Sequence, residues 1–107
     1  MDNKTLSALH LAGDTLADAS RRCTGTLALD HRGVPVDLTA EIACKWDLVG
    51  AVSLACFKLG ITEPKDQIEV YQAMKDTIGL DAETPAAIFW DENEDLHSVI
   101  AGRLQKA

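Results

Sequence analysis

The chain has 107 residues, 47% of them hydrophobic, and its 17 acidic and 10 basic residues give a formal net charge of −7. This length is typical of a single domain, and size scaling predicts a folded surface of roughly 5,800 Å², about 65% less than the extended chain exposes. An independent core is therefore feasible without metal or disulfide staples. The negative charge argues against direct nucleic-acid binding, which needs clustered Lys and Arg, and against attachment to an anionic membrane surface.

No membrane or secretion signal is visible. The N-terminal residues lack a basic start followed by an apolar stretch, and the longest uncharged run, residues 48–57, is half of the ~20 residues that a membrane span requires. Cys23, Cys44 and Cys56 form an odd set without a C-x-x-C pair, which favours free thiols in a reducing compartment. The sequence therefore predicts a cytoplasmic protein that does not cross a membrane.

The first predicted element is a helix over residues 4–23. Leu6, Leu9 and Leu16 recur near one face of it at helical spacing, and Gly25 follows as a stop signal. This helix should present one apolar stripe to the core.

A small β-hairpin is predicted near residues 26–37. Alternating apolar residues flank an Asp30-x-x-Gly33 turn, and Pro35 restricts the second strand to an edge position because it has no N–H to donate. Two strands alone are marginal in water, so we expect the hairpin to pack against helices.

A long central helix is predicted over residues 39–59, with Thr39 as N-cap and Gly60 as the stop. Its second half is apolar on nearly every side, which is typical of a buried helix. Small residues such as Gly50 would let neighbouring helices approach closely. The side chains expected to be mostly buried are Trp46, Val49, Leu54 and Phe57.

Three further helices are predicted. The first is capped by Thr62, tolerates Pro64 in its first turn and ends before Gly79; a short one opens at Thr84 and Pro85; the last is capped by Asn93 or Asp95. The complete prediction is a mainly α fold, a single compact domain over residues 1–107 with about five helices and one small β-hairpin.

No set of residues converges on a catalytic, metal or cofactor site. The three histidines fall on different predicted elements without a second ligand at metal-binding spacing. A grouping of Cys23, His31 and Asp37 around the hairpin is disfavoured, since Cys23 lies at a helix C-terminus, where the dipole opposes a thiolate. The D-x-N-x-D pattern in residues 91–95 lacks the Gly and Glu of a calcium loop. We therefore assign no catalytic residue, no metal ligand and no cofactor.

The negative charge is concentrated in residues 81–95, here called the acidic segment. The segment contributes −6 and contains no Lys or Arg, while the rest of the chain contributes −1. It can be a solvated connection between helices, or a docking surface that steers a basic partner. The candidate partner-binding residues are Asp81, Glu83, Asp91, Glu92, Glu94 and Asp95.

Three stretches of the chain match the motifs of a known family in the same order. They are residues 25–36 (GTLALDHRGVPV), residues 44–52 (CKWDLVGAV) and, near the end, residues 90–92 (WDE). In this order the chain resembles an uncharacterised bacterial and phage family, catalogued as domain of unknown function 6197, over nearly its whole length. Asp47 stands where that family has Cys, and the two acids of WDE replace Asn-Asp.

The family has no assigned activity to carry over. The resemblance implies that Trp46 and Trp90 are structural signatures of the fold. Because Asp47 replaces a family cysteine, the resemblance gives no thiol or metal role at that position.

Three classes of function follow. We expect a non-catalytic protein-interaction module, phage- or mobile-element-encoded, that docks a host protein with a basic surface as an inhibitor does, anti-CRISPR proteins being one example. The alternative is a structural domain that forms a homo-oligomer through an apolar helix face. An enzyme is the least favoured class, because no catalytic set converges.

Overall fold

The structure is a computed structural model that describes every residue from Met1 to Ala107. Five α-helices and one two-stranded antiparallel sheet confirm the predicted mainly α class. In chain order they are α1 (Asn3–Ala17), β1 (Ala28–Leu29), β2 (Lys45–Trp46), α2 (Leu48–Lys58), α3 (Pro64–Ile78), α4 (Ala86–Glu92) and α5 (His97–Gln105). Short 3₁₀ turns follow α1 at Ala19–Arg21 and precede α5 at Glu94–Leu96. Because of this second turn α5 starts later than predicted, and its N-cap residue is Leu96 rather than Asn93 or Asp95.

Helix α1 is shorter than the predicted residues 4–23. The Asp2 carboxylate caps its start by accepting the Thr5 N–H at 2.7 Å. It stops at Ala17 because Asp18 takes an extended conformation and caps the following 3₁₀ turn. The Arg22 side chain then folds back, and its Nε donates to the Leu16 carbonyl at 2.6 Å. A carbonyl at the helix end thereby gains a cationic donor, as helix C-termini favour.

The predicted hairpin turn forms, but the main strand pairing lies elsewhere. The Asp30 carboxylate accepts the Val34 N–H at 3.0 Å, and only an isolated bridge joins Leu29 to Pro35. Pro35 has no N–H with which to extend a ladder on its side of β1. Strand β1 pairs instead with β2, Ala28 opposite Trp46 and Leu29 opposite Lys45.

The predicted helix over residues 39–59 is wrong in its first half. Thr39 does not cap it, because its N–H and hydroxyl both bind the Asp37 carboxylate. The Cys44 N–H donates to the Leu29 carbonyl at 2.9 Å, which draws the following residues into β2. Helix α2 begins only at Leu48, where Asp47 caps it by accepting the Gly50 N–H at 2.6 Å.

The expected burial around α2 is only partly correct. Leu54 is buried and Trp46 and Val49 are half-buried, but Phe57 is 63% exposed. Val49, Ser53 and Phe57 share one stripe of α2, and the Ser53 hydroxyl hydrogen-bonds to the Tyr71 hydroxyl on α3. These side chains lie at the border of α3 rather than beneath it, so the last of them, Phe57, projects into water.

The core is one cluster to which all five helices contribute. Helix α1 packs along α5 and α2, and α2 also contacts α3 and α4. The accessible surface of 5960 Å² is close to that expected for the chain length. None of the helices combines the length and apolar character needed to cross a membrane. The largest fully buried side chains include Trp90, Leu9, Leu16, Leu48, Met74 and Leu104.

Candidate functional site: the acidic segment and the Trp90–His97 cluster

The acidic segment covers the turn before α4, α4 itself and the 3₁₀ turn after it. Its residues fall into two groups, one at each end of α4. Helix α4 between them has seven residues and is about 10 Å long. Five of the six candidate residues are exposed, namely Asp81, Glu83, Glu92, Glu94 and Asp95, and Asp91 is half-buried.

Asp81 organises the turn that leads into α4. Its carboxylate accepts the N–H groups of Glu83 at 3.0 Å and Thr84 at 2.9 Å, and also the Thr84 hydroxyl at 2.9 Å. These hydrogen bonds hold the pKa of Asp81 below its usual range. Asp81 therefore has a structural role in the turn, whatever its part in binding.

Asp91 is also engaged within the chain. Its carboxylate accepts the Gly25 N–H at 3.0 Å and so joins α4 to the segment that follows α1. The other three candidates at the C-terminal end of α4 are Glu92, Glu94 and Asp95. All three are exposed, and none accepts a hydrogen bond from the protein.

An apolar side chain lies between the two acidic groups. Ile88 is 53% exposed in the middle of α4, and Glu92 lies one helical turn further along the same side. Val99 is 50% exposed on α5, near the same end of the acidic segment. The arrangement is an apolar centre with carboxylates beyond both ends of the helix.

Behind the acidic segment, Trp90 and His97 form a buried cluster. The Trp90 indole is fully buried and donates its N–H to the Cys23 carbonyl at 2.8 Å. The His97 ring stacks on it, and Nε2 lies 2.8 Å from the Trp90 carbonyl. A carbonyl only accepts, so Nε2 carries the proton and Nδ1 is an acceptor in the neutral ring.

Sequence reasoning missed the role of His97. Trp90 and His97 are seven residues apart, which would place them two turns apart on one continuous helix. The break at Asn93 separates α4 from α5, so that spacing rule does not apply here. No local signal therefore identifies this pair.

A cavity of about 320 Å³ opens beside this cluster, between the segment after α1 and the start of α5. Arg22, Thr24, Glu94 and His97 line it, together with Ala19 and Cys23. The Arg22 guanidinium is held in place, since Nε binds the Leu16 carbonyl and Nη2 donates to Ser98 Oγ at 3.2 Å.

Two buried ionisable groups lie near the cluster. Desolvation, helped by the charge of Asp91, raises the pKa of Asp47 to about 6. Burial, with the charges of Asp47 and Asp91, raises the pKa of the Cys23 thiol to about 11. No group of three or more His, Cys, Asp or Glu side chains is placed to hold a metal ion.

No family model, curated protein or solved structure matches the chain. The resemblance to the family of domain of unknown function 6197 therefore stays a prediction. Each of the two tryptophans in its motifs binds a backbone carbonyl through its indole N–H. Trp46 donates to the Leu38 carbonyl at 3.0 Å, and Trp90 donates to the Cys23 carbonyl. Asp47, at the family's cysteine position, caps α2.

Proposed function

We propose that this protein is a non-catalytic interaction module that docks a protein with a basic rim against the outer side of α4. The observation that carries the proposal is the exposed Ile88 between two groups of exposed carboxylates. An apolar centre within a polar rim is the usual organisation of a protein interface. In this proposal the partner is a host protein whose basic surface is blocked, and the gene belongs to a phage or mobile element.

The two carboxylate groups can act on a partner together. They lie at opposite ends of a helix about 10 Å long, so a partner in contact with the whole of α4 comes within the Debye length, about 8 Å at physiological ionic strength, of each group. Such fields mainly raise the association rate, and salt weakens them. Binding through the acidic segment should therefore slow down as the salt concentration rises.

The protonation state of Cys23, the thiol next to the Trp90–His97 cluster, supports the non-catalytic part of the proposal. Burial, with the charges of Asp47 and Asp91, raises the pKa of Cys23 to about 11, so the thiol stays protonated at pH 7. Its S–H donates to the Thr26 carbonyl at 3.5 Å, which is not a base that could activate it. This arrangement suits packing better than nucleophilic catalysis.

The test compares two triple variants with equal net charge. The first replaces Glu92, Glu94 and Asp95 with Ser. Asp91 is left unchanged because it binds Gly25. Asp95 is included because its side chain caps no helix. The control replaces three exposed acids outside the acidic segment with Ser: Glu41, Glu63 and Glu69.

Each protein is used to capture binding proteins from host extract, and the association rate of the captured protein is then measured with purified components at low and high salt. We expect the control to bind like wild type. The first variant should lose capture and associate at least tenfold more slowly, because rim charges govern the association rate. Ile88→Ser should lose capture through faster dissociation, because it removes the apolar centre. A partner indifferent to both changes and to salt would contradict the proposal.

A second candidate, a domain that forms homo-oligomers, is favoured by one other surface. Phe57 lies one turn beyond Ser53 and Ile68 one turn before Tyr71, so the Ser53–Tyr71 hydrogen bond places both beside the α2–α3 loop. They are 63% and 67% exposed. Sedimentation equilibrium of wild type and Phe57→Ser distinguishes the candidates, because only an oligomer that uses this surface would dissociate in the variant.

A further inference from the structure

The cavity beside the Trp90–His97 cluster has two walls of opposite hydrogen-bonding character. One wall comes from Arg22 and Thr24 and presents donors, and the other comes from Glu94 and His97 and presents acceptors. The walls belong to separate parts of the chain, one after α1 and one at the start of α5.

The donor wall is fixed and only partly used within the protein. Three hydrogen bonds to the Leu16 carbonyl, the Ala17 carbonyl and Ser98 Oγ employ the Nε and Nη2 atoms of Arg22, while Nη1 has no protein acceptor. The Thr24 N–H has no protein acceptor either. Both are therefore free to bind a ligand oxygen.

The acceptor wall contains an unpartnered atom of a buried residue. His97 is only 5% exposed, and its Nε2–H is used by the Trp90 carbonyl. No protein donor reaches Nδ1. Every side-chain nitrogen or oxygen that is sealed from solvent does have a hydrogen-bond partner. Nδ1 therefore meets solvent, and His97 is one of the residues that line the cavity. The Glu94 carboxylate, exposed on the same wall, accepts no hydrogen bond from the protein.

The separation between the walls is set by contacts outside the cavity. The Trp90 indole binds the Cys23 carbonyl and the Asp91 carboxylate binds the Gly25 N–H, which fixes the residues on either side of Thr24 against α4. A ligand would thus meet polar groups that are already in place, which lowers the entropic cost of binding.

We infer that this cavity binds a small zwitterion of the α-amino-acid class. The carboxylate accepts hydrogen bonds from Arg22 Nη1 and the Thr24 N–H, and the ammonium donates to His97 Nδ1 and the Glu94 carboxylate. A volume of about 320 Å³ is at the lower end of ligand pockets, so a single amino acid fits better than a nucleotide. Glu94 also belongs to the proposed docking surface, whereas Arg22, Thr24 and His97 do not.

The test is a titration with L-alanine at pH 8, followed by the backbone amide of Thr24 and the ring nitrogens of His97 in NMR spectra. Acetate and methylamine serve as the two half-ligands. We expect saturable shifts of both residues with L-alanine, and at least tenfold weaker binding of either half-ligand, because each lacks one charged contact. Glu94→Gln should weaken L-alanine binding about tenfold, whereas the neighbouring control Glu92→Gln should leave it unchanged.

Three outcomes would overturn the inference. Acetate that binds as tightly as L-alanine would show a simple anion site, and equal binding by methylamine would show a simple cation site. Equal affinities of Glu94→Gln and Glu92→Gln, or no saturable shift up to about 50 mM L-alanine, would remove the zwitterion site altogether. Arg22 is not varied, since its loss would also uncap the end of α1.

Discussion

The imidazole of His97 lies flat on the indole of Trp90, with ring centroids 3.4 Å apart and planes 7° from parallel. The same imidazole donates to the Trp90 carbonyl, and the indole donates to the Cys23 carbonyl, each at 2.8 Å. These contacts link α5, α4 and the segment after α1 into one unit. The donor and acceptor walls of the cavity both depend on this unit for their positions.

Trp90→Phe should cost about 2–4 kcal/mol of unfolding free energy, because it leaves a gap in the core and removes the donor from the Cys23 carbonyl. Trp46→Phe is the matched control and should cost about 1 kcal/mol, since Trp46 is half-buried and water can replace its bond to Leu38. Urea unfolding followed by circular dichroism measures both. Equal costs, or a larger cost at Trp46, would refute the central role of the Trp90–His97 cluster.

Two helical glycines should respond in opposite directions to Ala. A Cβ on Gly50 would lie 2.0 Å from the Leu27 carbonyl oxygen, a backbone atom, so Gly50→Ala must push β1 away from α2. A Cβ on Gly102 meets nothing within 4 Å. We expect Gly50→Ala to lower stability by more than about 3 kcal/mol. Gly102→Ala should raise it by about 0.5–1 kcal/mol.

Both glycine variants are measured by thermal unfolding. A stable Gly50→Ala protein would mean that β1 does not lie against the first turn of α2. The close approach at Gly50 was expected from the sequence, but as a contact with a neighbouring helix rather than with the backbone before β1.

Asp47 should make the protein less stable as the pH rises. Its pKa is about 6 in the folded chain against an ordinary value of 3.8, so the native state binds this proton more readily than the unfolded state. Stability therefore falls between about pH 4 and pH 6, by at most about 3 kcal/mol. Asp47→Asn retains an acceptor for the Gly50 N–H and should remove this loss, leaving the variant more stable than wild type at pH 7.

The quantity to measure is the difference between wild type and Asp47→Asn, from urea unfolding at pH 4, 5, 6 and 7. Several other aspartates have lowered pKa values and oppose the trend in wild type alone: Asp2, Asp18, Asp30, Asp37 and Asp81. Asp91→Asn removes a neighbouring charge and should reduce the difference. A difference that does not change with pH would show that the carboxyl of Asp47 is not desolvated.

The sequence predicts best where local chemistry decides the structure. Helix α3 has Pro64 in its first turn, as predicted, and ends before Gly79, whose φ of +76° is the left-handed conformation that glycine adopts at helix ends. Its N-cap residue is Glu63 rather than the predicted Thr62, because Pro64 is already helical. The sequence predicts too early a start for helix α2, because that start depends on a distant strand. The Cys44 N–H pairs with Leu29, and no periodicity within residues 39–47 reveals that contact.

The candidate site also combines features that the sequence predicts with features that only the fold creates. The acidic segment is visible from composition, because a run of like charges needs no tertiary information. The bond between Asp91 and Gly25 joins residues 66 positions apart and takes one of the six predicted carboxylates into the fold. The stacked His97 and the cavity wall at Arg22 likewise exist only when α1, α4 and α5 meet.

Phe57→Ala should change stability by no more than about 1 kcal/mol, because the side chain is already 63% exposed. Leu48→Ala, at a fully buried position at the start of the same helix, should cost about 2–5 kcal/mol. Thermal unfolding of the two variants checks the orientation of α2. A severe loss for Phe57→Ala would restore the orientation that the apolar run of residues 48–57 had indicated.

The carboxylates of the acidic segment should differ in their effect on stability. Asp91→Ala removes the acceptor of the Gly25 N–H, so it should cost about 1–2 kcal/mol and loosen the donor wall of the cavity. The triple replacement of Glu92, Glu94 and Asp95 by Ser removes three exposed side chains that accept no hydrogen bond from the protein, and should keep stability within about 1 kcal/mol of wild type.

Urea unfolding tests the stability half of this prediction, and amide exchange at Gly25 tests its cause. We expect the Gly25 amide to exchange faster in Asp91→Ala and at the wild-type rate in the triple variant, since only the first change removes its acceptor. If the triple variant were the less stable of the two, the exposed carboxylates would be stabilising the fold. The acidic segment would then be a structural connection, and its charge would not imply a partner.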